Sequence, residues 1–78
     1  MYNKALEYHR KSEEINNRIN NRIGLAIDYQ NIGWLYSNML DYEKALEYHE
    51  KSLQEYNRLN EESGIARENS YIGLTLSR

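Results

Sequence analysis

The two histidines are the first side chains to consider for chemistry, because imidazole is the commonest metal ligand and a frequent general base. His9 and His49 stand forty residues apart, each at the end of the same tripeptide, Glu-Tyr-His. A metal site needs several converging ligands, and the chain has no third histidine and no cysteine. Equivalent positions of a repeated sequence have equivalent packing roles. We therefore interpret both histidines as packing residues and expect no metal or other cofactor.

Two adjacent carboxylate pairs, Glu13-Glu14 and Glu61-Glu62, are the other candidates for acid–base chemistry. Neighbouring residues on a helix point in different directions, so neither pair is suited to share a proton. The sequence also has no glycine-rich phosphate loop, no nucleophile elbow and no metal-binding histidine motif. We therefore predict that the chain is not an enzyme.

Composition and charge narrow the remaining classes of function. The length of 78 residues suits one small domain, which we place at residues 1–78. The net charge is −2 with both signs interspersed, and an RNA-binding helical repeat would need a basic groove that is missing here. No run of 18 apolar residues occurs, and the first residues lack the apolar core of a signal peptide. We expect no nucleic acid, no membrane association and a cytoplasmic location.

A forty-residue repeat organises the chain. Residues 2–12 read YNKALEYHRKS and residues 42–52 read YEKALEYHEKS, which agree at nine of eleven positions. Comparison of the whole sequence with itself at this shift gives 17 identities in 38 aligned pairs without a gap. The chain therefore consists of two copies of one unit.

The unit is predicted to be a pair of helices. Apolar and aromatic residues recur with a helical period, and the chain contains no proline. We predict helices over about 2–18, 24–39, 42–58 and 64–77, with Asp41 as the N-cap of the third helix. The polar segments that end at Gly24 and Gly64 are expected to separate consecutive helices. A four-helix bundle does not need its second half to copy its first, whereas stacked helix pairs do, so we predict an all-α solenoid of antiparallel helix pairs.

The middle of the chain combines a glycine with spaced aromatic, aliphatic and small residues: Tyr29, Ile32, Gly33, Tyr36, Ala45 and Ser52. This pattern resembles the tetratricopeptide repeat, whose two helices are called A and B, with the first four residues on helix A and the last two on helix B. His49 occupies a position that is usually aromatic. Three features depart from the pattern: Leu40 replaces a turn glycine, Asn57 replaces a proline, and the period is forty rather than about 34. Repeats of about forty residues are also known in this family.

The resemblance implies a particular packing and an unusual order of helices. Gly33 and Ala45 are expected to let two helix backbones approach, with Tyr29 and Tyr36 covering the contact from either side. The predicted order is B-A-B-A, which is one full repeat flanked by two half-repeats.

The resemblance also implies a function, the binding of a peptide segment in a groove lined by the A helices. The groove positions in this sequence are Ile27, Gln30, Asn31, Trp34, Ser37, Asn38, Arg67, Ser70, Tyr71, Leu74, Ser77 and Arg78. Trp34 is expected to anchor a partner side chain, to pack near Leu74, or both. The Lys/Asn set with which some members clamp a terminal carboxylate is absent, because Gln30 and Trp34 occupy the relevant places.

The alternative function is self-assembly. The first helix has no preceding A helix and the last has no following B helix, so a second copy placed head-to-tail would supply both. The expected contact residues on the two ends are Ala5, Tyr8, Ser12, Ile72, Gly73 and Leu76. Exchange of a terminal helix between two copies is a variant of this hypothesis.

Overall fold

The computed structural model describes residues 2–77, which form four helices and, within that range, no strand. They are α1 (Tyr2–Arg18), α2 (Arg22–Asn38), α3 (Tyr42–Arg58) and α4 (Glu62–Leu76). The fold is an all-α helical repeat, as predicted. Within the described range, none of the four helices has the length and apolarity needed to cross a lipid bilayer.

The polar segments that were expected to separate helices contain the turns, and the helices that follow begin slightly earlier than predicted. Both α2 and α4 begin two residues before Gly24 and Gly64, so these glycines belong to the first helical turns. A Cβ built at Gly24 would lie 2.9 Å from the side chain of Asn16, and one at Gly64 would overlap the ring of Tyr56. These glycines therefore also permit a close approach of the preceding helix, a role that the sequence did not indicate.

The turns between helices are three copies of one structure. Asn20, Leu40 and Asn60 have positive φ angles of 60°, 64° and 52° and stand twenty residues apart. In each turn the next residue donates its backbone N–H to the carbonyl five residues back, at distances of 2.8, 2.9 and 3.0 Å. This bond pattern is the Schellman motif, which satisfies the last carbonyls of a helix. Asparagine and glycine tolerate its left-handed residue, whereas leucine does so at a cost.

Side chains also cap the helices that follow the first two turns. The Asp41 carboxylate accepts a hydrogen bond from the backbone N–H of Lys44 at 3.3 Å, which confirms the predicted N-cap. Asn21 plays the same part for α2, accepting from the N–H of Gly24 at 3.2 Å. Each turn thus ends one helix and starts the next within three residues, which makes consecutive helices antiparallel neighbours.

Packing is concentrated between helices that follow one another in sequence, and it is most extensive between α2 and α3. The core of that pair consists of Ile32, Tyr36 and Ala45, all buried, with Leu6 and Tyr48 packed around it. The arrangement is that of a stack in which each helix contacts its predecessor and its successor.

A layer of tyrosines covers one side of the α2–α3 pair. The Tyr48 ring stacks on Tyr36 with centroids 5.7 Å apart and tilts against Tyr29 at 6.1 Å. The Lys51 ammonium lies 4.8 Å from the Tyr48 centroid, and Arg10 donates to the Tyr36 hydroxyl at 2.6 Å. Burial raises the pKa of both Tyr29 and Tyr48 above its usual range. The layer ties α1 and α3 to α2 through cation–π and hydrogen-bond contacts.

Gly33 makes room for the side chain of His49. The nearest atoms to a Cβ built at Gly33 belong to the His49 ring, the closest at 2.9 Å. The residue that needs the glycine is therefore one turn further along α3 than Ala45.

The strained turn at Leu40 leads to a first prediction. Replacing Leu40 by Asn should raise the free energy of unfolding by roughly 1 kcal/mol, because asparagine tolerates positive φ and the leucine side chain is exposed. Urea denaturation followed by circular dichroism measures the change. Leu59→Asn is the matched control, since Leu59 is an exposed leucine of the next turn with a φ of −89°. An equal gain in both variants would contradict the explanation.

The equivalent glycines Gly33 and Gly73 give a second prediction. Gly73→Ala should stabilise the chain by about 0.5 kcal/mol, because alanine favours helix and no described atom lies within 4 Å of the new Cβ. Gly33→Ala should destabilise it by about 1–2 kcal/mol, because the buried His49 ring must shift. The urea midpoints of the two variants should therefore move in opposite directions, and shifts of the same sign would refute the assignment.

Candidate functional site

A cleft of about 220 Å³ lies between α2 and α4. Five of the residues that line it were predicted groove positions, and the sixth is a histidine of α3: Trp34, Ser37, Asn38, Tyr71, Leu74 and His49. The first three stand on α2 at spacings of three and four residues, which place them on one face of the helix. The cleft therefore brings together one face of each A helix above a residue of the B helix between them.

Two large apolar side chains form the exposed walls of the cleft. Trp34 is 51% exposed and Leu74 is 55% exposed, although both line the same concavity. Large apolar groups that stay half-exposed beside a cleft are typical anchors for a partner side chain. Ser37 and Asn38 add a hydroxyl and a carboxamide, which can hydrogen-bond to the main chain of a peptide.

His49 forms the floor of the cleft and contacts both A helices. The ring is only 2% exposed, and its Nδ1 lies 3.1 Å from a carboxylate oxygen of Glu68 on α4. Its centroid is 5.2 Å from that of Tyr71, and its other side faces Gly33. Sequence reasoning assigned His49 to packing and missed its place in the cleft. Its position opposite Gly33 on the next helix was the signal that could have indicated it.

Glu68 is the most unusual buried group near the cleft. Its side chain is fully buried, one oxygen contacts His49, and the other has no hydrogen-bond partner among the described residues. The equivalent residue in the first repeat is Asp28, whose shorter side chain instead accepts a hydrogen bond from Asn16 at 2.7 Å. Each B helix thus supplies a polar partner to the acidic residue of the following A helix, which fixes the register of the two helices.

Gln30 and Arg67 belong to a bridge between the A helices. The Gln30 side-chain oxygen accepts hydrogen bonds from Arg67 of α4 and from the Tyr56 hydroxyl of α3, both at 3.2 Å. These two predicted groove residues are therefore engaged within the chain and do not line the cleft.

The other predicted groove residues are not brought to the cleft. Ile27 and Ser70 are exposed and Asn31 is half-buried, all outside its lining, while the Ser77 hydroxyl donates to the Leu74 carbonyl at 3.0 Å. Arg78 lies outside the described residues.

The outer faces of α4 and α1 carry the residues predicted for self-association. On α4, Gly73 and Leu76 are exposed and Ile72 is half-buried. On α1, Tyr8 is exposed, while Ala5 and Ser12 are half-buried. The equivalent residues of the internal α2–α3 pair are far less accessible, and the fully buried ones are Ile32, Ala45 and Ser52.

The carboxylates considered for acid–base chemistry do not converge with the histidines. Burial raises the pKa of Glu13, an effect opposed by the charge of Lys51, whereas Glu14 forms an exposed ion pair with Arg18 at 3.5 Å. Within residues 2–77, no three or more histidine, aspartate or glutamate side chains are grouped so that they could hold a metal ion.

Comparison with known proteins gives one match. Searches of curated proteins and of solved structures find no significant match to this chain. The family model described as tetratricopeptide repeat matches residues 1–74. This match covers nearly the whole chain and fits the all-α arrangement of the four helices. The chain belongs to the tetratricopeptide repeat family.

Proposed function

We propose that this chain is a non-catalytic interaction scaffold that binds a peptide segment of a partner protein in the cleft between α2 and α4. Tetratricopeptide repeats generally mediate protein–protein interactions, which supports the class of function. The proposal goes further by naming the cleft and its anchor.

The observation that carries this proposal is the pairing of Trp34 with Leu74 across an open cleft. Folding leaves about half of each side chain in contact with water. A partner side chain inserted between them would remove that surface from water, at about 25 cal/mol per Å². The polar floor and rim, formed by His49, Ser37 and Asn38, would orient the main chain of the bound segment.

The size and charge of the cleft define the expected ligand. A volume of about 220 Å³ accommodates one large apolar side chain and adjoining backbone, not a folded domain. The net charge of −2 gives no electrostatic attraction for nucleic acid. We therefore expect a short peptide with an aliphatic or aromatic anchor, bound weakly because the groove spans only two A helices.

Peptides selected from a displayed library test this proposal. A selected peptide, synthesised and titrated by calorimetry, should lose at least tenfold in affinity for Trp34→Ala, since the anchor wall is removed. Ile19→Ala is the matched control, because Ile19 is an exposed apolar residue in the first turn, away from the cleft. Equal affinities for the wild type and Trp34→Ala would refute the role of the cleft.

Head-to-tail self-association is the second candidate function, and the exposure of Gly73 favours it. A glycine inside a helix lowers stability, so its presence is explained where another group packs closely against it. At Gly33 that group is the His49 ring. At Gly73 no described atom lies within 4 Å of the Cβ position, although the residue is the same. The face of α4 therefore has the shape of a packing surface without the helix that would cover it.

Light scattering across a concentration series tests the second candidate. The apparent mass should rise with concentration for the wild type and stay that of a monomer for Gly73→Glu, which places a charged side chain on the open face. Gln54→Glu is the matched control, because it adds the same charge to an exposed position of α3. A wild type that remains monomeric at every concentration would eliminate self-association.

A further inference from the structure

We infer that copies of this chain form a composite cleft at their junction, built by Leu74 of one copy and by Asn31, Trp34 and His9 of the next. The inference rests on the second candidate function and specifies its register and its consequence. Self-association would then create a further peptide-binding site instead of only joining chains.

The template for the junction is the contact between α2 and α3. There the Ser52 hydroxyl donates to the Ala26 carbonyl at 2.8 Å, and both residues are fully buried. The His49 ring fills the space at Gly33, and Ala45 packs against Ile32. These contacts place a B helix on an A helix in one register.

The open faces repeat the residues of this template. On α4, the counterparts of Ala26, Ile32 and Gly33 are identical: Ala66, Ile72 and Gly73. On α1, the counterparts of Ala45, His49 and Ser52 are identical as well: Ala5, His9 and Ser12. The accessibility differs, since Ala26 is fully buried and Ala66 is exposed. The helix that fits the face of α4 is therefore one with the sequence of α1, and a second copy of the chain is the occupant that carries it.

Charge is also complementary in this register. Arg22, Lys51 and Arg58 line one groove where α3 meets α2, and the positive charges are balanced there by Glu55. At the junction the corresponding residues are Glu62 on α4 and Lys11 and Arg18 on α1 of the next copy, and Gln54, which lines the same groove, becomes Glu14. Glu14 pairs with Arg18 at 3.5 Å within its own helix, so Lys11 is the cation left to face Glu62. Glu62 thus takes the place of Arg22 on the A helix. The B helix keeps both of its cations, since Lys11 and Arg18 correspond to Lys51 and Arg58.

Several substitutions make the junction weaker than its template, among them Asn69 in the place of Tyr29. The stacked pair Tyr36–Tyr48 becomes Leu76 with Tyr8, and the buried ion-pair residue Glu55 becomes Ile15. The junction also lacks the covalent turn that holds α3 beside α2, so association carries an entropic cost. Reversible association at high concentration is the expected behaviour.

The composite cleft follows from the same shift of forty residues. Within one chain the cleft is formed by Trp34 of one A helix, His49 of the B helix, and Tyr71 and Leu74 of the next A helix. Shifted by forty, these positions are Leu74 of the first copy and His9, Asn31 and Trp34 of the second. The new cleft has the same pair of apolar walls, Leu74 and Trp34, with their order reversed. Its ligand class is again a peptide with an apolar anchor.

A mixing experiment with two blocked chains tests the composite cleft. The first chain carries Tyr8→Arg, which blocks its α1 face, and Trp34→Phe, which removes its tryptophan. The second carries Gly73→Glu, which blocks its α4 face. Tyr8 is 71% exposed and Gly73 is exposed, so neither blocking substitution disturbs the fold of its own chain. Each chain alone should be monomeric, and the mixture should form a heterodimer and nothing larger.

The fluorescence of the sole tryptophan reports on the cleft itself. In this heterodimer Trp34 belongs to the second chain and lies in the composite cleft, so its emission should shift to shorter wavelength on mixing. Adding Leu74→Ala to the first chain should reduce that shift. Moving Trp34→Phe to the second chain is the matched control, because the remaining tryptophan then lies outside the junction and its emission should not shift.

The possible negative results separate the hypotheses. A heterodimer whose Trp34 emission is unchanged, or unaffected by Leu74→Ala, would overturn the composite cleft and leave head-to-tail association standing. A wild type that associates while the two blocked chains do not pair would overturn the register. A wild type that never associates would overturn the second candidate function and this inference together.

Discussion

The contact of the His49 ring with Gly33 on one side and with Glu68 and Tyr71 on the other is the interaction on which the rest of the structure depends. It joins α2, α3 and α4 through one buried side chain. Because Gly33 has no side chain, the ring can lie between the A helices and reach the carboxylate of the second. The ring therefore contacts both A helices that border the cleft. An aromatic residue without a nitrogen would fill the space but would leave Glu68 buried without a partner.

Much of the fold could be predicted because the sequence contains two copies of one forty-residue unit. The forty-residue shift indicates stacked helix pairs, the carboxylate of Asp41 indicates a helix start, and the pattern around Gly33 indicates the family. Five groove residues that were placed by resemblance do line the cleft. Local signals suffice for these features, since caps, turns and helical periods are encoded within a few residues of where they act.

The errors concern contacts between helices, where one residue type serves two purposes. Glycine can mark a turn or permit close packing: Gly24 and Gly64 lie beside turns, as expected, but their packing against Asn16 and Tyr56 was missed. Gln30 and Arg67 fit the groove pattern but bond to one another, since each reaches across to the neighbouring A helix. Which side chain fills which gap depends on the distance between helices, and a sequence pattern gives only the face of the helix.

The restriction of packing to consecutive helices governs how the chain folds. Since every main contact joins segments that are separated by one short turn, little loop-closure entropy opposes its formation, and folding is expected to be fast. The α2–α3 pair contains the buried core and is the natural place for structure to begin, with α1 and α4 adding to either side. Because α1 and α4 pack mainly against one neighbouring helix each, they are expected to be the first helices to open in the native state. The two faces that are available to a second copy thus belong to the least stable helices. A contact made on either face would therefore also slow the local unfolding of α1 or α4.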